Sequence, residues 1–123
     1  MSRIYRIAPV PDAERYFVAL GLAKPTEGVR AMLSAHRRAP NRTLSASDLA
    51  AAAGRRHSYA NLHYGRFAHR VADSLDVVPD VDEADGGKPL WTTTIARGWR
   101  IARGPWVWQL YEEVAQAVDR LAW

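Results

Sequence analysis

Paired arginines at helical spacing are the side chains in this sequence best suited to binding chemistry. Arg66 and Arg70 are one helical turn apart within residues 59–75, which have the periodicity of an amphipathic helix. A guanidinium group can donate two parallel hydrogen bonds to a phosphate or to a guanine edge. Two such groups one turn apart could follow base edges or successive phosphates, which points to nucleic acid as the ligand.

The distribution of charge supports this interpretation. The 123 residues carry 17 Lys or Arg and 13 Asp or Glu, a formal net charge of +4. Residues 30–70 hold eight arginines against one aspartate, whereas residues 76–88 hold five acids against one lysine. An arginine face taken alone is more often a solvated surface than a DNA reader, but such surfaces usually mix both signs. The clustering therefore favours binding to a polyanion.

The groups needed for catalysis are absent or poorly spaced. The chain has no cysteine, no Gly-x-Ser-x-Gly motif and no glycine-rich phosphate loop. His63 and His69 are six residues apart and do not share a helix face, while His36 falls on an apolar stripe, as a core residue would. The acids at 82–85 lie in a Gly- and Pro-containing stretch without rigid support. We expect no enzymatic activity, no metal and no cofactor.

Capping residues and apolar periodicity predict the helices that position these groups. A first helix runs over residues 12–20 with Gly21 as its stop, and Thr26 caps a second helix that ends before Ala39 and has Val29, Met32, Leu33 and His36 on one face. Ser45 and Asp48 form a capping box that opens a short helix over 46–53, closed by Gly54. A basic turn at 55–58 leads into the helix at 59–75.

That last helix has two faces when its phase is calculated at about 100° per residue. Ala60, Tyr64, Phe67, Ala68, Val71 and Leu75 form the predicted core face. The opposite face is basic and aromatic and consists of Tyr59, His63, Arg66, Arg70 and Asp73. Asn61 falls nearer the core side and suggests a structural contact, whereas Leu62 falls outside the apolar face without a local explanation.

The C-terminal part predicts a hairpin and a closing helix. Residues 76–89 are acidic and turn-rich and predict a flexible connection. Residues 90–95 predict a strand, 107–110 its antiparallel partner, and 111–121 the closing helix. The long tip between the strands would carry Arg97, Trp99, Arg100 and Arg103. Core packing is the expected role of Trp91, Trp106 and Trp108, and Trp123 is expected to pack at the terminus.

This order of elements predicts a fold that is α+β and mainly helical: a winged helix-turn-helix with extra N-terminal helices, a two-stranded wing and a closing C-terminal helix. Its length and its 48% hydrophobic residues suit one domain over residues 1–123. The residues expected to bind DNA are Arg42, Ser45, Arg55, Arg56, His57, Tyr59, Asn61, His63, Arg66, Arg70, Arg97, Trp99, Arg100 and Arg103.

Several runs resemble a winged-helix domain that accompanies bacterial HNH restriction-type endonucleases. These are Met-Leu-Ser-Ala-His at 32–36, Leu-Ser-Ala-Ser-Asp-Leu-Ala at 44–50 with Gly54, Tyr-Ala-Asn-Leu-His-Tyr-Gly-Arg at 59–66, and the end of the chain from Trp106 to Trp123. The Asn-Leu-x-Tyr-Gly stretch is the most specific. The similarity covers about residues 12–123.

The resemblance implies DNA sensing in a restriction or defence setting. Some modules of this type resemble readers of N6-methyladenine, which implies double-stranded, adenine-methylated DNA as a partner. Action alone, action with a separate nuclease as a second partner, and membership of a larger nuclease are the open alternatives. Tyr59 and Trp99 are the exposed aromatic residues that would form the wall against a methylated base. The sequence lacks an HNH motif, so cleavage is not implied.

A protein-interaction or transcription-regulator module with the same fold is the alternative function. Phosphate-driven binding weakens steeply with salt, and an apolar partner interface does not. No apolar run approaches the roughly 20 residues of a membrane span, and the start of the chain lacks the apolar stretch of a signal peptide. We therefore expect a cytoplasmic protein without a membrane partner.

Overall fold

The computed structural model describes residues 3–102 and 104–123, and within them the chain forms five α-helices and two small antiparallel sheets. The helices are α1 (Ala13–Ala23), α2 (Glu27–Arg38), α3 (Ala46–Ala52), α4 (His57–Leu75) and α5 (Glu112–Leu121). The strands are β1 (Thr43–Ser45), β2 (Asp80–Asp82), β3 (Lys88–Leu90), β4 (Ala96–Arg100) and β5 (Trp106–Leu110). The predicted class, α+β and mainly helical, is confirmed. None of the described helices is both long and apolar enough to cross a membrane.

The predicted starts of α1, α2 and α3 agree with the structure to within one residue, and a side-chain cap forms at each. Asp12 accepts a hydrogen bond from the Arg15 backbone, Thr26 caps α2, and Ser45 and Asp48 make the reciprocal capping box at α3. The predicted stop at Gly21 is wrong. A helical glycine costs only about 1 kcal/mol relative to alanine, and by continuing to Ala23 the helix buries that side chain in the core.

Gly54 ends α3 as predicted and turns the chain into α4. It adopts a left-handed φ of +69°, while the Gly54 and Arg55 amides donate to the carbonyls of Ala51 and Ala50. This is the Schellman arrangement, which satisfies carbonyls at a helix end and needs a residue that tolerates positive φ. α4 then begins at His57, two residues before the predicted start.

The core lies between the helices and one face of the three-stranded sheet. The predicted inner faces of α2 and α4 are buried in full, as are Val114, Ala117 and Val118 of the closing helix. Sheet residues Ala96, Trp108 and Leu110 belong to the same cluster. A Cβ at Gly98 would lie 2.4 Å from the Trp108 ring, so the indole fills the space that a side chain on the neighbouring strand would need.

The strand order in this sheet is β1-β5-β4, with both pairings antiparallel. The strand that forms a hairpin with β5 is therefore β4, and the predicted strand over 90–95 is wrong. Residues Trp91–Thr94 form a 3-10 turn instead. Thr93 is buried there, and its hydroxyl donates to the Leu90 carbonyl and accepts from the Asp80 amide. Such local side-chain bonds compete with an extended strand.

An acidic β-hairpin occupies most of the stretch predicted as a flexible connection. β2 and β3 pair between Asp80 and Leu90, and two glycines with positive φ, Gly86 and Gly87, make the turn. The Asp80 carboxylate accepts hydrogen bonds from the Arg3 side chain at 3.0 Å and the Arg6 amide at 3.1 Å. This tertiary anchor is invisible in the local composition, which is why the hairpin was missed.

Candidate nucleic-acid interface

The N-termini of α3 and α4 lie at the same end of the sheet as the β4–β5 turn. Ser45, the last residue of β1 and the N-cap of α3, pairs with Val107, next to the start of β5 at Trp106. The Ser47 hydroxyl then lies 3.0 Å from Nδ1 of His57, the first residue of α4. The Ser45 hydroxyl itself is occupied, since it accepts the hydrogen bond that caps α3.

The His57 ring bridges the two helix starts. Its Nε2 lies 3.2 Å from the amide nitrogen of Asn61, one turn further along α4. An amide nitrogen only donates, so Nε2 accepts, and in the neutral ring the proton resides on Nδ1 and points at Ser47. Asn61 is exposed, and its structural contact is with the first turn of its own helix.

Four of the predicted arginines, Arg55, Arg56, Arg66 and Arg70, are exposed on α4 or just before it, and the first three make no side-chain hydrogen bond within the described part of the chain. Arg55 lies over the Tyr59 ring at 5.5 Å, Arg56 is the N-cap of α4, and Arg66 is in the middle of that helix. Within residues 3–102 and 104–123, the Arg56 and Arg66 side chains have no hydrogen-bond or ion-pair partner. No side chain caps α4 either. The Tyr59 amide donates to the Arg56 carbonyl, whereas the amides of His57 and Ser58 stay available to an anion beside the positive end of the helix dipole.

One side of α4, which we term the covered flank (Tyr59, His63 and Arg70), packs against α1 and α2. The Tyr59 ring lies 4.2 Å from the His63 ring, and its hydroxyl occupies the space where a Cβ on Gly28 of α2 would stand. The Arg70 Nε donates to the carbonyl of Ala23 at the end of α1. A cation is favourable there because of the helix dipole.

The other side, the open flank (Asn61, Leu62, Arg66 and His69), borders a groove of about 550 Å³. The opposite wall is the acidic hairpin together with Trp91, whose ring stacks on His69 at 3.6 Å and 9°. The residues that line the groove besides the open flank are Gly65, Asp82, Asp85, Lys88, Pro89, Leu90, Trp91, Thr92 and Trp108.

The predicted residues of the sheet region have separate surroundings. Arg42 donates to the Leu110 carbonyl at 3.0 Å, and Arg97 lies 3.4 Å from the Gln109 side chain. Arg97 and Trp99 lie in strand β4 rather than in a tip, and Arg100 ends that strand over the Trp106 ring at 5.2 Å. Arg103 lies outside the described residues.

The predicted DNA-binding set is thus only partly brought together. Arg55, Arg56, His57, Asn61 and Arg66 form one exposed group, whereas Arg70 and Arg42 each donate to a protein carbonyl. The Trp99 ring lies opposite Val107 and makes no described contact with Tyr59, so these two rings do not form facing walls of one pocket.

Sequence reasoning missed the groove and its residues Leu62, His69, Trp91 and Trp108. The signal that could have found it is Leu62, an apolar residue outside the core face that is 47% exposed. Trp91 lies in the 3-10 turn rather than in the predicted strand, and its stacking on His69 depends on that turn. Trp106 and Trp108 do lie in a strand, with rings 5.6 Å apart and nearly parallel.

His36 is a core residue, as the apolar stripe predicted. Its Nε2 lies 2.7 Å from the Trp108 carbonyl and its Nδ1 lies 2.8 Å from the Tyr64 hydroxyl. A carbonyl only accepts, so Nε2 carries the proton and the neutral Nδ1 accepts from Tyr64. Burial lowers the pKa of His36 to about 4 despite the opposing hydrogen bond to Trp108. The neutral ring ties α2 to α4 and β5.

Comparison of the chain with protein-family models, curated proteins and solved structures finds no match. The resemblance to domains that accompany HNH endonucleases therefore stays a prediction. In the described part of the chain, no group of three His, Cys, Asp or Glu side chains is arranged to hold a metal ion.

Proposed function

We propose that this chain is a winged-helix module that binds double-stranded DNA, with α4 as its recognition helix. The observation that carries the proposal is the element order α2-β1-α3-α4-β2-β3-β4-β5, in which the acidic hairpin precedes the β4–β5 hairpin, combined with the sheet order β1-β5-β4. A helix-turn-helix pair, α3 and α4, is thereby followed by a hairpin whose turn lies at the same end as the helix starts. In helix-turn-helix proteins the second helix of the pair enters the major groove.

The chemistry of the exposed group supports this orientation. Arg55 and Arg56 flank the uncapped start of α4, where a phosphate would meet two guanidinium groups and free backbone amides. Asn61 and Arg66 lie further along the exposed side and carry the side-chain types that read adenine and guanine edges. Phosphate contacts would fix the register, and these two residues would supply base readout.

We further propose that the module prefers duplex DNA that contains N6-methyladenine, as the sequence resemblance implies. The N6-methyl group projects into the major groove, and Leu62 offers an exposed apolar side chain on α4 that could bury it. Burying one methyl contributes on the order of 1 kcal/mol, so a several-fold preference is expected. The proposed context is restriction or defence, with cleavage performed by a separate nuclease.

Titration of labelled duplexes at low and moderate salt tests the proposal, with each sequence supplied in unmodified and N6-methyladenine form. We expect affinity to fall as salt rises, and Arg55→Ala with Arg56→Ala to reduce both the affinity and the salt slope. The matched control for each of these substitutions made singly is Arg38→Ala, which likewise removes one charge, about 15 Å along α2 from the Gly28–Tyr59 contact.

The outcomes separate the proposal from its alternative. Absence of duplex binding at low salt would contradict DNA binding and favour the protein-interaction function. Equal affinity for methylated and unmethylated duplexes in several sequence contexts would remove modified-base reading and leave ordinary DNA binding. An effect of Arg38→Ala as large as that of the Arg55 and Arg56 changes would mean that binding is not centred on the start of α4.

A further inference from the structure

Gly65 in the middle of α4 is not explained by protein packing. Apart from its chain neighbours and the surrounding backbone of α4, no atom lies within 4 Å of the position that its Cβ would occupy, and the residue lines the groove beside the open flank. Glycine in a helix interior destabilises the helix relative to alanine, and its usual justification is the close approach of another group. Gly21 has the same empty surroundings but lies in the last turn of α1, where the cost is smaller. The empty side of Gly65 therefore points to a ligand.

The walls of the groove suit a flat aromatic ring. His69 stacks on Trp91 with nearly parallel rings, and the His69 side chain is 47% exposed, so its outer ring face is available to a third planar group. Leu62 and Leu90 add apolar contact, and the Trp108 indole lies in the lining. Nucleobases stack on such platforms independently of sequence because every base has a π face.

The charges around the groove favour a base over a phosphate. Asp82 and Asp85 on the hairpin balance Arg66 and Lys88, so the lining carries no net charge to attract an anion. Carboxylates accept hydrogen bonds from exocyclic amino groups of bases, and the Asn61 amide can both donate and accept along a base edge. A neutral ring with a polar edge is complementary to this lining, whereas a phosphate would be repelled by the two acids.

We infer that the groove between α4 and the acidic hairpin receives a single nucleobase that has left the DNA stack. This inference rests on the proposed function, because α4 must first lie on the DNA. The base would stack on His69 above Trp91, with its edge turned to Asn61, Arg66 and the hairpin carboxylates. Gly65 leaves room for the ring against the helix.

Duplexes that differ at one position test this site. A mismatched base costs less to unstack than a paired one, so wild-type protein should bind a single-mismatch duplex on the order of tenfold more tightly than the matched duplex. Gly65→Leu fills the groove and should bring this ratio close to one. Gly21→Leu is the matched control, since it adds the same side chain to another open helical glycine, and it should keep the wild-type ratio.

His69→Leu provides a second variant, which removes the stacking platform while keeping a good helix former, and it should lower the ratio several-fold. Circular dichroism and thermal melting establish that each variant is folded. A wild-type ratio near one, with salt-dependent duplex binding retained, would overturn the inference and leave the proposed function intact. A ratio unaffected by both Gly65→Leu and His69→Leu would overturn the groove as the site. Absence of any duplex binding would contradict the proposed function itself.

Discussion

The covered and open flanks of α4 carry similar residue types and have different surroundings. Arg70 on the covered flank donates to the end of α1, whereas Arg66, one turn earlier, has no described protein partner. Tyr59 fills a space against Gly28, whereas Gly65 leaves one empty. Helical phase separates core from non-core residues, but it does not tell which non-core side another helix will cover. Residues of the covered flank therefore stabilise the fold, whereas residues of the open flank are available to a ligand.

Protonation of His36 should have the largest effect on the free energy of unfolding. The His36 ring is hydrogen-bonded to Tyr64 on the buried face of α4, and the positions of both flanks depend on how that face packs. The His36 pKa of about 4 in the folded chain lies below the usual value near 6.5. Between these pH values the unfolded chain binds a proton that the folded chain does not, so stability is complete above about pH 6.5 and falls as the pH drops toward 4. The expected loss is about 3 kcal/mol.

Urea unfolding at pH 7 and pH 4.5 measures this loss, with His36→Gln as the comparison because glutamine does not titrate. The wild-type protein should lose more unfolding free energy on acidification than the variant does. Equal losses in the two proteins would show that protonation of the buried imidazole is not what destabilises the protein in acid.

A methyl group added at Gly28, which faces the covered flank from α2, and one added at Gly65, which lies beside the open flank, should have opposite effects on stability. Gly28→Ala brings a Cβ to 2.0 Å from the Tyr59 hydroxyl, which forces the ring to move away, and should destabilise the protein by about 1–2 kcal/mol. Gly65→Ala meets open space and should stabilise it by up to about 1 kcal/mol through helix propensity. Thermal or urea unfolding of both variants provides the measurement.

Removal of the Tyr59 ring tests the cause of the Gly28 effect. In the double variant with Tyr59→Ala, the added methyl at Gly28 should cost less than it does in the wild-type background. The same cost in both backgrounds would mean that the Tyr59 ring is not what blocks a side chain at Gly28.

Arg66 and Arg70 should separate binding from stability, with smaller changes in unfolding free energy. Arg70→Ala removes a hydrogen bond to the Ala23 carbonyl and should cost about 1 kcal/mol of stability. Arg66→Ala should leave stability unchanged and weaken duplex binding by about 1–3 kcal/mol if the side chain reads a base. Binding titrations and urea unfolding of both variants check this, and the reverse assignment would contradict the division into flanks.

Much of the helical framework could be predicted because its signals are local. Asp12, Thr26 and the Ser45–Asp48 pair each cap the helix that follows within three residues, and the apolar period of α4 fixes its buried face. Strand β5 was predicted within one residue of its observed start. These features depend on neighbours in sequence, whose spacing is set by helix and strand geometry.

The acidic hairpin and the groove could not be predicted, because they depend on contacts between distant residues. Asp80 is held by Arg3 and Arg6, and Thr93 closes a 3-10 turn where its alternation with apolar residues suggested a strand. The stacking of His69 on Trp91 joins a helix to that turn. Composition described residues 76–89 as acidic and turn-rich, which is correct, but composition carries no information on what anchors such a segment.

The sequence by itself determined where the side-chain-capped helices α1, α2 and α3 begin, which face of α4 is buried, and that positive charge concentrates in residues 30–70. Only the tertiary structure decided which arginines bond to another element, because a long flexible guanidinium side chain reaches whatever acceptor the neighbouring elements bring near. Arg70 meets the end of α1 and Arg66 faces a groove, although the two residues are the same type, one turn apart in one helix. The physical reason is that periodicity fixes direction from a helix axis, while the partner in that direction depends on packing between elements far apart in the chain.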